Sequence, residues 1–418
     1  MFYDVYADFR MTTLDNGLTV YSKTWPNASW FYAEVVVHAG AREDPPGREG
    51  MAHLVEHLTS ENVAGLTFSQ IKKRFEALGG YGWFGGTSYL ATKYTFHLPD
   101  ERRNIHEALT LFGQMLLQGR LTHKIEEEKM VILREYHRKY EHTLARTWAL
   151  QGRPFLFEHH PRLKSFASAI GIPDEFLLST QEQIQAFYDA YYVPKNMSLV
   201  CIGAISGPDL LPIVLETPFS LHKAGQRNII PGAFAPQPPQ KHEQVIHTSE
   251  FSTLAQSKAV CTFEWVIPLH FTRQCVRMLC DMLEEALTEE LRYKRSLTYD
   301  VSVDYEYYQD CRTVHVHFEI PPDAVETAKD ILWQRLHATF LAQERFLEAK
   351  KERMDCIYRM DYSGYDLLEA VTEDLEGYHR LISFTEELQQ VERTHFSDVL
   401  ALADYLTPER AFCFVMLP

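Results

Sequence analysis

Two histidines and a glutamate are spaced so that they could bind a metal ion and activate water. If the stretch from Met51 to Glu61 is helical, His53 and His57 lie one turn apart with their rings on one face, and Glu56 borders that face. A catalytic zinc ion takes three protein ligands and a water molecule whose pKa falls to about 7. The order H-x-x-E-H is the inverse of the zinc peptidase motif H-E-x-x-H. The two histidines are therefore candidate ligands and Glu56 is a candidate general base.

The residues around this motif favour a helix that is partly buried. With 19 histidines in the chain, a chance match to the motif is expected in about one sequence in twenty. Pro45, Pro46, Gly47 and Gly50 form a turn that can precede a helix. Apolar residues surround the histidines, whereas an ordinary surface helix would be more polar: Ala52, Leu54, Val55 and Leu58.

A third ligand is expected on a second helix, predicted over Lys124 to Lys139. Glu128 and Glu135 are seven residues apart, which is two helical turns, so their carboxylates lie on one side. Glu126 and Glu127 are equally acidic, and acidic helix faces are usually solvated. The helical pattern by itself leaves the choice of ligand open.

The two helices together resemble those of the inverted zinc peptidases, the family of pitrilysin, insulin-degrading enzyme and mitochondrial processing peptidase. In that family an E-x-x-x-x-x-x-E helix follows the H-x-x-E-H helix by some 75 to 80 residues, and here the interval from His57 to Glu135 is 135 − 57 = 78. The resemblance implies that His53, His57 and Glu135 bind one zinc ion per chain. It also implies that Glu56 is the general base and that Glu128 is an auxiliary catalytic carboxylate.

Other segments extend the resemblance. Residues 15–20 resemble the family's first hairpin, and residues 36–44 resemble the strand and loop before the zinc helix. Residues 78–94 resemble the segment whose edge strand binds peptide substrates, a mode that recognises the peptide backbone. The resemblance thus implies a substrate-binding role for Phe84, Gly85, Gly86 and Thr87. Phe84 stands where relatives often have Asn, and residues 60–65 replace a basic, glycine-containing stretch, so substrate preference does not transfer from relatives.

Arg292 and Tyr299 are a second constellation implied by the resemblance. In the family an Arg at a helix end and a Tyr on the next strand, seven residues later, hold the substrate carbonyl and its developing charge. A guanidinium fork and a phenol suit an oxyanion, because both donate hydrogen bonds to negative charge. Ser296 and Thr298 replace residues that are commonly Gln or Gly and Gly or Ala. Without the zinc motif, an ordinary helix-strand junction would be the favoured interpretation.

The chain shows an internal duplication. Residues 186–203 and 399–416 each read as an aromatic helix, a proline turn and a hydrophobic strand, with Pro194 and Pro408 separated by 408 − 194 = 214 residues. Residues 349–359 correspond to the helix predicted over Lys124 to Lys139 but carry no pair of zinc ligands.

We expect an α+β protein of two structurally similar domains, each an antiparallel-dominated sheet with helices packed on one face. The predicted limits are a zinc-binding domain at 1–222, a Pro- and Gln-rich linker at 223–243 and a domain carrying the Arg/Tyr pair at 244–418. Strands are expected at 32–38, 93–98, 199–202, 257–266 and 313–320.

The composition and charge of the chain limit the partners and the compartment that we expect for this protein. The net charge of −16 argues against nucleic acid, which requires a concentrated basic surface. No window reaches the roughly 18 apolar residues of a membrane span, and the first ten residues lack the features of a signal peptide. Seven cysteines without a C-x-x-C pair suggest buried thiols in a reducing compartment. These features predict a cytoplasmic protein with no membrane partner.

The sequence thus predicts a zinc endopeptidase that cleaves peptides or unfolded segments. Because larger relatives enclose their site between two double domains, the resemblance implies a dimeric chamber, formed by a homodimer or with a related subunit. One alternative is the catalytic subunit of a heterodimeric processing peptidase that matures one ribosomal precursor peptide. Another is a non-catalytic scaffold of the same fold, although such members typically have a broken zinc motif.

Overall fold

Eleven strands form two sheets in the part of the chain that the computed structural model describes, which comprises residues 4–61, 63, 66–140, 144–166, 168–247, 257–337, 342–359 and 362–418. The N-terminal sheet has the order β1-β2-β6-β3-β5-β4, and the C-terminal sheet has the order β7-β11-β8-β10-β9. The strands are β1 Arg10–Thr13, β2 Thr19–Thr24, β3 Trp30–Val37, β4 Tyr81–Thr87, β5 Thr92–Pro99, β6 Met197–Gly203, β7 Glu243–His247, β8 Ala259–Ile267, β9 Val301–Tyr307, β10 Arg312–Ile320 and β11 Phe412–Leu417.

The two sheets share one topology. In each, the first strand of the repeat pairs in parallel with the last, as β2 with β6 and β7 with β11, and the remaining pairs are antiparallel. Strands β3, β5 and β4 correspond in this order to β8, β10 and β9, while β1 is an addition to the N-terminal sheet. The predicted α+β fold with two similar, antiparallel-dominated domains is confirmed.

The helices of each half are inserted at corresponding places. Between β3 and β4 lies α1, and between β8 and β9 lies α10, which continues into a π-helical segment, Thr288–Lys294. The described helices are α1 Met51–Glu61, α2 Phe68–Ala77, α3 Arg102–Leu117, α4 Ile125–Tyr140, α5 Leu144–Gln151, α6 Arg153–Leu156, α7 Pro173–Phe176, α8 Gln181–Tyr191, α9 Gly207–Leu215, α10 Arg273–Leu287, α11 Val325–Leu336, α12 Gln343–Arg359, α13 Gly364–Tyr378, α14 Phe384–Arg393 and α15 Phe396–Tyr405.

The N-terminal sheet is covered on both faces. Val35 and Tyr94 point to the face where α1 and α3 form a core with the sheet. The opposite face receives α13, a helix of the C-terminal half, which contacts β3 and β6. The two halves are therefore packed together directly, and α13 covers this second face of the N-terminal sheet.

Most sequence-based boundaries agree with the structure to within two residues. Helix α1 has the predicted limits, α4 is displaced by one residue from the prediction, and β8 begins at Ala259 where a start at Ser257 was expected. Residues 221–242 are neither helix nor strand. They are bound to both halves, since the Asn228 side chain donates to the His38 carbonyl and the Phe234 amide donates to the Asp310 carbonyl. The predicted domain limits of 1–222 and 244–418 stay a prediction.

All seven cysteines are free thiols, and six of them are buried, with Cys356 exposed. Within the described ranges, no helix combines the length and apolar character that crossing a bilayer requires.

Candidate metal centre and peptide-binding strand

Helix α1 begins at a turn that is closed by a buried carboxylate. Asp44 accepts hydrogen bonds from the amides of Gly50, at 2.6 Å, and Ala52, at 2.8 Å. Such bonds satisfy amides at a helix N-terminus that have no partner within the helix. Gly50 has a φ of +103°, a conformation that favours glycine. The turn predicted from the Pro and Gly residues thus anchors the helix that carries the histidines.

His53, His57 and Glu135 converge at one point between α1 and α4. Glu135 Oε2 lies 3.8 Å from His53 Nε2 and 3.7 Å from His57 Nε2, and the three ligand atoms all lie within 4.8 Å of one another. Two imidazole nitrogens and one carboxylate oxygen are a donor set that zinc binds in catalytic sites. The donor types and their convergence fit a zinc ion.

Glu128 orients the second histidine. Its Oε2 lies 3.0 Å from His57 Nδ1, so the imidazole donates from Nδ1 and leaves Nε2 directed at Glu135. A carboxylate behind a ligating histidine is a common arrangement around zinc. Although burial lowers the pKa of His57, its interactions with Glu128 and Glu135 raise it to about 9. Because a metal binds neutral imidazole, metal binding here would release a proton.

The other two candidate ligands are in the protonation states that a metal requires. Burial, reinforced by the neighbouring His57, lowers the pKa of His53 to about 4, so this imidazole is neutral at pH 7. His57 and Lys139 hold the pKa of Glu135 below its usual range. Lys139 Nζ lies 2.7 Å from Glu135 Oε1, which leaves Oε2 for the histidine side. Sequence reasoning did not assign a role to Lys139, although its i, i+4 spacing from Glu135 is a signal for such a pair.

Glu56 lies between the metal centre and strand β4. Its Oε2 accepts a hydrogen bond from the Thr87 hydroxyl at 3.0 Å and is 3.9 Å from His53 Nε2. Burial raises the pKa of Glu56, which favours proton uptake by this carboxylate. Gly85 approaches so closely that a Cβ atom on it would stand 2.3 Å from Glu56 Oε1. This glycine gives the carboxylate its space.

Strand β4 has an open outer edge. It is the last strand of the N-terminal sheet and pairs only with β5 within the described residues, with an irregularity between Tyr81 and Phe84. Gly85 and Gly86 are exposed on it. The backbone of Phe84 pairs with Thr95, while its side chain lies outside the described part of the chain. An exposed edge with free amides and carbonyls is a template for an added peptide strand.

Arg292 and Tyr299 lie together at the corresponding place in the C-terminal half. Arg292 is in the π-helical continuation of α10, and its guanidinium lies 4.8 Å from the centre of the Tyr299 ring. Tyr299 is 76% exposed and precedes β9 by two residues, so the expectation that it lies on the strand is wrong. Among the described residues, the pair forms no hydrogen bond or ion pair with the candidate metal centre. Helix α10 is the C-terminal counterpart of α1, so the pair lies beside the C-terminal sheet and not beside the N-terminal sheet.

A second group of ligand-type side chains, His160, Asp310 and Cys311, has a structural explanation. His160 Nδ1 accepts from the backbone amides of Arg162 and Leu163, and Nε2 lies 3.1 Å from Asp310 Oδ2. Both ring nitrogens are therefore engaged, and neither offers a lone pair to a metal. The group fastens the 158–163 segment to the C-terminal sheet.

Family models match both halves of the chain. The model described as "Insulinase (Peptidase family M16)" matches residues 19–149, and the model described as "Peptidase M16 inactive domain" matches residues 179–352. The chain therefore belongs to peptidase family M16.

Curated relatives in this family are named as zinc proteases. The chain is 27% identical over 237 residues to "Zinc protease PqqE" of Helicobacter pylori, covering 54% of this chain and 50% of that protein. It is 26% identical over 230 residues to "Probable zinc protease PqqL" of Escherichia coli, covering 52% of this chain and 24% of that protein. The matches thus span half or less of the length of these relatives.

Solved structures share the fold over the whole chain. A protease from Helicobacter pylori superposes with a TM-score of 0.79 at 20% identity, covering 98% of this chain and 99% of that one. Pitrilysin superposes with a TM-score of 0.78 at 16% identity, covering 100% of this chain and 46% of that one. The Escherichia coli PqqL structure, with a TM-score of 0.80 at 18% identity over 100% of this chain and 48% of that one, is described as a periplasmic protease. The cytoplasmic location of the present chain stays a prediction.

Proposed function

We propose that this protein is a zinc-dependent endopeptidase that cleaves peptides or unfolded segments. The observation that carries the proposal is the convergence of His53, His57 and Glu135, with Glu56 held between them and the open strand β4. The names of the zinc protease relatives support the same chemistry. We assign one zinc ion per chain to the three converging side chains, within the proposed zinc-binding domain at 1–222.

A zinc ion held by these residues would lower the pKa of a bound water and polarise a peptide carbonyl. Glu56 accepts a proton from the attacking water and delivers it to the leaving amine. The Thr87 hydroxyl positions the Glu56 carboxylate through its hydrogen bond, and Gly85 leaves room for it. Glu128 fixes the ring of His57 and acts as a positioning residue.

The substrate backbone is proposed to add to β4 as a further strand. The outer amides and carbonyls of residues 84–87 would pair with the peptide, while its side chains alternate between the two faces of the sheet. Glu56 and the candidate metal centre lie on one of these faces. A peptide bound along β4 would therefore place its scissile bond next to the general base. Such binding requires an extended peptide, so we expect a preference for unfolded segments.

Arg292 and Tyr299 are proposed to bind the substrate carbonyl and stabilise its developing negative charge. They lie in the C-terminal half, away from the hydrogen-bond network of Glu56, so we propose that a second chain supplies them in a dimeric chamber. Because this chain carries both parts of the machinery, a homodimer is chemically complete.

A heterodimeric processing peptidase with one dedicated precursor is the second candidate. It is supported by a 24% identity over 203 residues to "Probable mitochondrial-processing peptidase subunit beta, mitochondrial" of Arabidopsis thaliana, which covers 48% of this chain and 37% of that protein. A non-catalytic scaffold is disfavoured because His53, His57, Glu135 and Glu56 are all present and adjacent.

The direct test is hydrolysis of an unfolded peptide library by the protein and by Glu56→Gln, with metal content measured by mass spectrometry. The proposal expects about one zinc per chain in both proteins and cleavage only in the unsubstituted one. Zinc-independent or Glu56-independent cleavage would contradict the mechanism. Bound zinc without cleavage by the isolated protein would favour the heterodimeric candidate, and a chain that binds no zinc would leave the scaffold interpretation.

A further inference from the structure

Four side chains form a row across the face of the N-terminal sheet that α13 covers. The strand registers pair Ile202 of β6 with Tyr32 of β3, Tyr32 with His97 of β5, and His97 with Tyr81 of β4. Residues that are directly paired on neighbouring strands point to the same face of a sheet. This cross-strand row therefore spans four strands and ends at Tyr81, on the strand whose outer edge is open.

An extra residue in β4 gives Tyr81 this orientation. From Tyr81 to Phe84 the strand advances three residues, whereas its partner β5 advances only two, from His97 to Thr95. The extra residue makes a β-bulge, where Gly82 has a φ of +69°. With regular alternation, Tyr81 would point to the face opposite that of Phe84, because the two residues are an odd number of positions apart. The bulge thus keeps Tyr81 in the cross-strand row.

His97 is surrounded by aromatic rings. The ring centres of four residues lie between 5.4 and 6.4 Å from the centre of its imidazole: Trp30, Tyr81, Tyr32 and Tyr365. Aromatic rings stabilise one another at such distances. Burial lowers the pKa of His97, so this imidazole is uncharged at pH 7. The cross-strand row and the rings beside it therefore form a neutral aromatic surface.

This surface is exposed where it meets the open edge of β4. Tyr81 is 73% exposed and Trp30 is 38% exposed, although both rings contact His97. A single exposed aromatic residue needs no functional explanation, but here two of them flank one ring beside an unpaired strand edge. Gly85, which contacts Glu56, follows Tyr81 by 85 − 81 = 4 residues on the same strand. A peptide that lies along β4 past Glu56 would therefore also pass Tyr81.

We propose that Tyr81, supported by the cross-strand row, is a subsite for an aromatic residue of the substrate that lies several residues from the scissile bond. The inference rests on the proposed peptidase function and adds a substrate feature to it. In a peptide added to β4, the residue opposite Tyr81 points to the same face, and an aromatic ring there extends the row by one strand. A neutral ring surface favours such a side chain over a charged one, which would lose hydration without gaining a partner.

The register also predicts where the aromatic residue lies in the peptide. The partners of Tyr81 and Gly85 on β5 are His97 and Tyr94, which are 97 − 94 = 3 residues apart. The same spacing on the outer side of β4 places the aromatic residue three positions from the peptide residue opposite Gly85. At about 3.3 Å per residue, this separation is about 10 Å.

The test is a scan in which a single phenylalanine moves along a neutral peptide that the protein cleaves, with alanine as the reference residue. Mass spectrometry of the products identifies the cleaved bond. We expect phenylalanine at one position to lower KM by about fivefold and to leave kcat unchanged. The effect appears in KM because a contact far from the reacting bond stabilises the bound substrate and the transition state equally.

Substitutions at Tyr81 assign this effect to its ring. Tyr81→Ala should remove the preference for phenylalanine, and Tyr81→Phe should keep it, because the ring and not the hydroxyl makes the contact. The control is Tyr358→Ala on α12, where the tyrosine is 50% exposed, and it should leave the preference unchanged. Calorimetric titration of the same peptides into Glu56→Gln protein should show the same preference as a difference in Kd.

The outcomes separate the subsite from the peptidase function. Cleavage without a preference for phenylalanine at any position, or a preference that persists in Tyr81→Ala, overturns the subsite and leaves the peptidase proposal intact. Failure to cleave or bind any peptide overturns both. If Tyr81→Ala does not fold, Tyr81→Thr, which favours a strand but has no ring, decides the outcome. An undiminished preference in that variant counts against the subsite.

Discussion

Gly85 and Glu56 are in such close contact that a Cβ atom on Gly85 would stand 2.3 Å from Glu56 Oε1 and 3.0 Å from its carboxyl carbon. The next residue, Gly86, has no atom within 4 Å of the corresponding position. Consecutive glycines on one strand therefore differ in what they do. Gly85 makes room for the proposed general base, and Gly86 lines a cavity of about 370 Å³ between β4 and α13.

Gly85→Ala should lower kcat by at least about tenfold, because the added methyl group displaces the Glu56 carboxylate. Gly86→Ala is the comparison variant on the same strand: its methyl group does not approach Glu56, so it should keep kcat within about twofold, and any effect on peptide binding should appear in KM. Zinc content should be equal in both variants. The measurement is steady-state kinetics on one cleaved peptide, and equal kcat values for the two variants would contradict the proposed role of Gly85.

Glu128→Gln should weaken zinc binding by about 10- to 100-fold, because Gln is a weaker acceptor for the Nδ1 proton of His57 and orients the ring less well. The matched control is Glu127→Gln, one residue earlier on α4 with an exposed side chain. Zinc affinity is measured by competition with a chromophoric chelator. A loss of affinity in the control as large as in Glu128→Gln would point to the charge of the helix and not to the hydrogen bond.

Glu56→Gln alone should be inactive, and Arg292→Ala alone should have a kcat lower by about 10²- to 10³-fold. A mixture of the two variants should recover activity. If the Arg/Tyr pair acts on the partner chain, a mixed dimer has one complete site. After random exchange of subunits, about a quarter of the activity should return, since half of the dimers are mixed and each restores one of two sites.

The control for this mixture is Glu56→Gln with Glu135→Gln, in which both changes affect the zinc half and no complete site forms in a mixed dimer. Mass measurement in solution establishes the dimer and the exchange. Absence of recovery in an exchanging mixture of Glu56→Gln and Arg292→Ala would show that the pair does not act between chains.

Glu264→Gln should stabilise the protein at alkaline pH. Glu264 is buried in a cavity of about 790 Å³ on the C-terminal sheet, and its Oε2 has no partner among the described residues. Burial and the nearby Glu306 raise the pKa of Glu264 to about 8, against the lowering effect of Arg153. His315 is the paired residue on β10 and lines the same cavity.

The sign of the pH dependence follows from this raised pKa. The folded protein keeps the Glu264 proton above the pH at which the unfolded chain, with a pKa of about 4.3, loses it. Stability therefore decreases as pH rises from about 4 to 8, and the penalty is fully present above pH 8. Replacing Glu264 by Gln should raise Tm by about 2 °C or more at pH 9 and change it less at pH 5. Thermal unfolding followed by circular dichroism checks this, and an equal shift at both pH values would contradict it.

Much of the N-terminal site was predictable because its signals are local. His53, Glu56 and His57 lie on one helix, and the 3.6-residue period determines which of their side chains share a face. The limits of α1 agree with the prediction for the same reason. The duplication was also visible, since residues 186–203 and 399–416 repeat one pattern, and the shared topology of the two sheets follows from it.

The third metal-binding candidate required more than periodicity. Helix α4 carries Glu135 and three further glutamates, Glu126, Glu127 and Glu128. Helical spacing by itself does not show which of the four binds the metal. Family resemblance selected Glu135, and the packing of α4 against α1 places its Oε2 3.7 Å from His57 Nε2. The same packing gives Glu128 a different task behind the histidine.

The sequence by itself predicted the donor set of the candidate metal centre, because ligand types and helical spacing are properties of a short segment. Tertiary structure alone decided which distant groups surround it. The contact of Gly85 with Glu56 depends on how β4 passes α1, and the cavity lined by Glu34 and Glu373 depends on α13 crossing the N-terminal sheet. Glu34 and Glu373 are 373 − 34 = 339 residues apart, and no periodic pattern relates positions so distant. Their proximity is a consequence of packing the two halves together, because the free energy of burial depends on the whole interface.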